Sequence, residues 1–178
     1  MNALISGLQA VETNARWAHE RAERALASAS RDALASRRLA ARMPTQTHRQ
    51  WAADAASELA DAKRAERAAK RARRAAEYVT EVEITRFHLR TLGIPGMTGR
   101  WRRRTEVFQG TLQFQNGYTA SVVLGPGTYG FDKNLYELAI LSGGRCVYDT
   151  GITDDVLGYL TPHQVREYVE QISEVEAR

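Results

Sequence analysis

The chain has 178 residues, with 25 Lys and Arg against 21 Asp and Glu, one Cys and 43% hydrophobic residues. That length supports one or two small domains with a modest core. No run of about 18 apolar residues occurs, which excludes a transmembrane helix. The start, Met1-Asn2-Ala3-Leu4-Ile5-Ser6, lacks the basic residues and apolar run of a secretory signal. A single Cys excludes an internal disulfide framework and fits a reducing cytosol. The expectation is a cytoplasmic protein with no membrane partner.

The net charge of +4 conceals an asymmetry: 21 basic and 11 acidic residues through Arg104, then 4 basic and 10 acidic. Ala and Arg dominate the first part, while the second holds most of the Gly, Tyr and β-branched residues. The expected division is residues 1–92 as a helical hairpin carrying oligomerisation and a basic face, 93–104 as a basic linker, and 105–178 as a β-meander with a helix.

In the first part Leu8, Val11, Ala15, Ala18, Ala22, Ala25 and Ala29 alternate steps of three and four. A second run is Ala55, Ala62, Ala65, Ala69, Ala72, Ala76 and Val79, with Glu58 interrupting. Both are heptad seams built mostly of alanine. Between them Pro44 disfavours helix at Met43, and Thr45 or Thr47 can cap the next helix. An antiparallel hairpin follows. Alanine buries little area, so the seam calls for a partner, and a homodimer or larger homo-oligomer is expected. Thr80–Thr91 contains Val82, Ile84, Thr85 and Phe87, which would suit a strand ending helix two near Glu83. The spacing of Val82, Leu89 and Leu92 and the stop Gly93-Ile94-Pro95 favour helix to Leu92.

The second part reads as strands. Thr105–Gln115 and Tyr118–Leu124 flank Asn116-Gly117, a hairpin dipeptide in which both residues are expected at positive φ. Leu135–Leu141 and Arg145–Tyr148 flank Ser142-Gly143-Gly144. Thr161 as N-cap, Pro162 in the first turn and Gln164 as capping-box partner then open a helix whose apolar face is Val165, Tyr168, Val169 and Ile172. The predicted class is α+β: a long Ala-seamed hairpin, then a small four-stranded antiparallel sheet covered by a C-terminal helix.

Chemistry-bearing patterns are sparse. Cys146 sits in a predicted strand, which suits a buried, inert thiol. His19, His48, His88 and His163 show no metal-ligand spacing. Asp149, Asp154 and Asp155, with Glu137 nearby, are the carboxylate cluster a Mg²⁺ ion would need. Thr153-Asp154-Asp155 reads more simply as the cap of a short helical turn. Gly125–Gly130 lacks the Gly-Lys-Ser/Thr ending of a phosphate loop and is expected to join two strands. No catalytic residue, metal site or cofactor is expected, and the chain reads as a non-enzyme.

The cations are more distinctive. Lys63, Arg67, Lys70, Arg71 and Arg74 recur at helical spacing opposite the expected seam, a face able to track phosphates or, alternatively, a solvated one. Arg100-Trp101-Arg102-Arg103-Arg104 adds four guanidiniums around an indole suited to phosphate pairing and base stacking.

Asn116-Gly117-Tyr118-Thr119-Ala120-Ser121-Val122 and Tyr129-Gly130 carry a resemblance to a family of small, uncharacterised proteins encoded by bacterial viruses and prophages. So do Leu135–Leu141, Tyr148-Asp149-Thr150 and Ile152–Leu160; the resemblance covers about Val107 to Ile172 and excludes the Ala/Arg-rich hairpin. It implies origin more than activity, and assigns no catalytic role to Asp149, Asp154 or Asp155. Proteins of this class often counter host immunity, by binding a defence complex or its signalling nucleotide, and three functions are weighed, of which the last rests on the cations and not on the resemblance. The leading one is an anti-CRISPR-like, anti-defence inhibitor that binds a host nucleoprotein or nuclease. The others are a sponge for a nucleotide signal, with Tyr129, Arg145 and Arg166 around its pocket, and a direct DNA- or RNA-binding protein.

Overall fold

The computed structural model describes residues 2–177; Met1 and Arg178, the outer ends of the expected first and last domains, lie outside them. The chain divides into two compact units, Met1–Thr80 and Glu81–Arg178. The boundary therefore falls inside the second helix, twelve residues before the expected linker, because Glu81–Leu92 packs with the later residues.

The first unit holds α1 (Asn2–Arg42) and α2 (Gln46–Leu92) as far as Thr80. Thr45 caps α2, its Oγ1 accepting from the His48 backbone N–H at 3.2 Å. The least exposed positions of α1 step by four and three from Leu8 through Glu12, Ala15, His19, Ala22, Leu26, Ala29 and Ala33. On α2 they run through Ala52, Ala55, Leu59, Ala62, Glu66, Ala69, Arg73, Ala76 and Thr80. Every second inward position is thus small, as expected at Ala15, Ala22, Ala62 and Ala69. The alternate ones correct the expectation: Val11, Ala18, Ala25, Ala65, Ala72 and Val79 are exposed. Close approach at an alanine leaves a gap one turn on, and a longer side chain must fill it. Among the described residues of this unit only His19, Ala33, Ala55 and Thr80 are buried, none of them a large apolar side chain.

The second unit begins with the end of α2, which stops where expected: Gly93 takes φ 62° and its N–H donates to the Leu89 carbonyl at 3.0 Å. Six antiparallel strands follow, β1 (Thr98–Arg102), β2 (Val107–Gln113), β3 (Tyr118–Leu124), β4 (Tyr136–Ser142), β5 (Arg145–Cys146) and β6 (Leu157–Leu160), then α3 (Pro162–Glu174). The order is β1-β2-β3-β4-β5, and β6 pairs the other half of the outer edge of β4. Two strands were not expected. β1 occupies the supposed linker, because Gly99 and Trp101 alternate with arginines and so present an apolar face despite the charge. β6 follows an ST turn at Thr153, which replaces the expected helical turn: Thr153 Oγ1 donates to the Asp155 carbonyl and accepts from its N–H.

The core lies on one face of the sheet, where Phe108, Ala120, Val122, Leu138 and Ile140 meet Leu92 of α2 and Val165, Val169 and Ile172 of α3. Gly99 and Gly110 are direct cross-strand partners. A Cβ at Gly99 would stand 3.0 Å from the Phe108 ring and one at Gly110 would stand 3.1 Å from it, so the two glycines seat that ring. At the β2–β3 turn Gly117 has φ 89° but Asn116 is not at positive φ, correcting the expected two-residue turn. The Phe114 N–H donates to the Tyr118 carbonyl, closing a three-residue loop with glycine at its last position. That frees the Asn116 side chain to donate to the carbonyls of Ile172 (2.8 Å) and Val175 (3.0 Å) at the end of α3. The capping box at Thr161 and Gln164 is formed as expected.

Candidate nucleic-acid interface

Lys63, Arg67, Lys70, Arg71 and Arg74 are all exposed on α2. None makes an ion pair; the acids in this stretch are engaged elsewhere, Asp61 by Arg64 and Glu77 by Arg73. At about 100° per residue the five cations span an arc of roughly 100° and a length of about 17 Å. The same arithmetic sets their centre roughly 130° around the helix from the observed seam, so the face flanks the seam and does not stand opposite it. Toward the hairpin loop that face changes character. Ala52, Ala53, Ala56, Leu59 and Ala60 there line a groove of about 650 Å³ with Ala33, Leu34 and Arg37 of α1, and Lys63 closes its end. One side of the hairpin is thus apolar near its loop and cationic further along.

The arginine cluster of the second unit is rearranged by β1. Arg100 and Arg102 project from the open face of the sheet, beside Gln109 and Thr111, and line a shallow groove there. Arg100 lies 3.9 Å from Glu81. Trp101 alternates to the other face and packs against the core, with its backbone N–H donating to Thr85 Oγ1 at 2.8 Å. The expected stacking of a base on this indole is therefore corrected: its ring is committed to packing. Arg103 is half-buried in the β1–β2 turn, and burial draws its pKa below the ordinary value. Arg104 is exposed.

Tyr129, Arg145 and Arg166 do not form a pocket. The Tyr129 backbone N–H donates to Glu137 at the start of β4. Arg145 pairs with Ser142 at the far end of that strand, about 17 Å along at 3.4 Å per residue. Arg166 donates to the Leu92 carbonyl at 2.9 Å, satisfying the end of α2. Cys146 is exposed on the two-residue edge strand β5, which overturns the buried thiol. Among the described residues Asp149, Asp154, Asp155 and Glu137 do not form a group close enough to share an ion; Asp155 Oδ1 accepts from the Val156 N–H, and Glu137 accepts from the Tyr129 N–H.

Two histidines gain surroundings that spacing alone did not reveal. His88 is buried, stacks on Phe108 at 4.6 Å between centroids, and meets the Tyr136 hydroxyl at 3.0 Å. Burial pulls its pKa down to about 4 and pushes Tyr136 up to about 12. His19 faces Glu23 and Glu66, the one His/Cys/Asp/Glu group among the described residues close enough to share an ion. The His19-x₃-Glu23 step was readable in the sequence. Glu66 was hidden because the expected seam ran through Ala65.

No protein-family model, curated protein or solved structure matches the chain. Among the described residues no helix is long and apolar enough to cross a membrane. The site's own geometry therefore carries the functional argument.

Proposed function

We propose that this protein is a non-enzymatic accessory protein that docks on nucleic acid, bare or within a host nucleoprotein, through the cationic face of α2. The carrying observation is the row Lys63, Arg67, Lys70, Arg71 and Arg74, exposed and free of ion pairs on one helix face. Cations left without acidic partners on a rigid helix lose little on meeting a phosphate backbone, and gain the entropy of the counterions they release. Arg100, Arg102 and Arg104 supply further exposed charge in the second unit. An anti-defence setting, in which the docked protein blocks a host nuclease or nucleoprotein, is the part of this proposal that rests on the word order of Val107–Ile172 and not on the cationic face.

The hairpin is proposed to act as a homodimer. Its seam buries no large apolar side chain, while Leu34 and Trp51 are each 51% exposed and the groove beside Leu34 is lined mostly by carbon. A second copy seated there would supply the missing apolar burial. The test is fluorescence anisotropy with a labelled mixed-sequence duplex, comparing wild type with Lys63→Glu/Arg67→Glu/Lys70→Glu/Arg71→Glu/Arg74→Glu. Binding lost in a variant with unchanged helicity supports the assignment, and binding retained removes it.

A further inference from the structure

We infer that His19, Glu23 and Glu66 form a site for one divalent transition-metal ion of the zinc class, which clips α1 to α2 within the hairpin. His19 and Glu23 are one turn apart on α1 and Glu66 faces them from α2, with all three ligand atoms within 4.8 Å of one another. The His19 Nε2 lies 3.4 Å from Glu66 Oε1 and 3.7 Å from Glu23 Oε1. Those separations exceed the 2.7–3.2 Å of an ordinary N–H···O bond. They approach the roughly 3.3 Å between two ligands that each stand about 2.0–2.1 Å from a tetrahedral metal.

The ring's own chemistry points the same way. The side chain of His19 is 7% exposed and its Nδ1 has no hydrogen-bond partner. The ring presents Nε2 to both carboxylates, and a cation seated among the three would be met by the nitrogen lone pair and the two acids at once. Glu66 is 18% exposed but Glu23 is 57% exposed, so the site has a dry floor and an open side, where an ion enters and water completes the coordination. One imidazole and two carboxylates suit zinc-class ions; the harder Ca²⁺ and Mg²⁺ prefer all-oxygen shells. The burial is atypical of a surface acid cluster and places the site at a seam position, where binding stiffens the helix pair.

The experiment titrates untagged full-length protein with Co²⁺ and then displaces it with Zn²⁺. The expected result is one Co²⁺ per chain, with the intense visible bands of four-coordinate cobalt that vanish on adding one equivalent of Zn²⁺. His19→Ala abolishes these bands. Glu23→Gln, an exposed change that leaves the fold intact, weakens Zn²⁺ binding at least tenfold and keeps the pair geometry readable if His19→Ala unfolds. The proposal is overturned by the absence of any cobalt spectrum at micromolar protein, or by Zn²⁺ affinity equal in wild type and Glu23→Gln.

Discussion

His88 and Tyr136 meet inside the core of the second unit, Nδ1 to hydroxyl at 3.0 Å, and both side chains are closed off from solvent. Burial of the imidazole forces a pH dependence. His88 binds its proton with a pKa near 4 when folded and near 6.5 when unfolded. Between those values the unfolded chain holds more protons, so stability rises with pH across this window and is lost as pH falls through it. The full loss is about 3 kcal/mol. Urea unfolding at pH 7 and pH 4.5 should show most of this loss in wild type, about 2 kcal/mol, and a shallower one in His88→Gln.

Gly99 and Gly110 tell how the Phe108 ring is seated. Gly99→Ala places a methyl 3.0 Å from that ring and 3.1 Å from the Gln109 carbonyl oxygen, which cannot swing aside. The expected cost is about 1–3 kcal/mol, read as a lower urea midpoint with an unchanged slope.

Asn116→Ala removes the donors to the Ile172 and Val175 carbonyls. A loss of about 1–2 kcal/mol is expected, concentrated at the end of α3. Amide exchange should accelerate in residues 172–175 and at Tyr118, whose N–H donates to Asn116 Oδ1, while the rest of β2 and β3 stays protected.

Much of this architecture was legible in the sequence, because its signals were local and chemically specific. Thr161-Pro162-His163-Gln164 encodes a capping box in four residues, and Gly93-Ile94-Pro95 ends α2 whatever packs around it. What escaped depended on partners distant in the chain. The arginines of β1 masked the alternation of Gly99 and Trp101, whose meaning appears only when Phe108 and Gly110 lie beside them. Likewise Ala65 and Glu66 compete for one heptad slot, and small size alone favoured the wrong one. The cationic row on α2 was legible as a row, since helical spacing fixed it, but its place beside the seam was not, because that depends on which alanines pack inward. The pocket at Tyr129, Arg145 and Arg166 was not, because strand pairing decides which ends of a sheet meet.

Leu34 tests the pairing of hairpins. Leu34→Glu puts a charge into the apolar groove without touching the inward seam. Sedimentation at tens of micromolar should show two copies for wild type and one for the variant, with helicity preserved. A wild-type monomer at that concentration would contradict the paired hairpin.

The most direct measurement of the central claim is the salt dependence of duplex binding. Five neutralised phosphates predict that log affinity falls against log salt with a slope of about −4 to −5. Arg67→Gln/Arg71→Gln should reduce that slope by about 2 while leaving helicity unchanged. A duplex that does not bind at low salt, or a slope indifferent to these two arginines, would contradict a nucleic-acid role for this face.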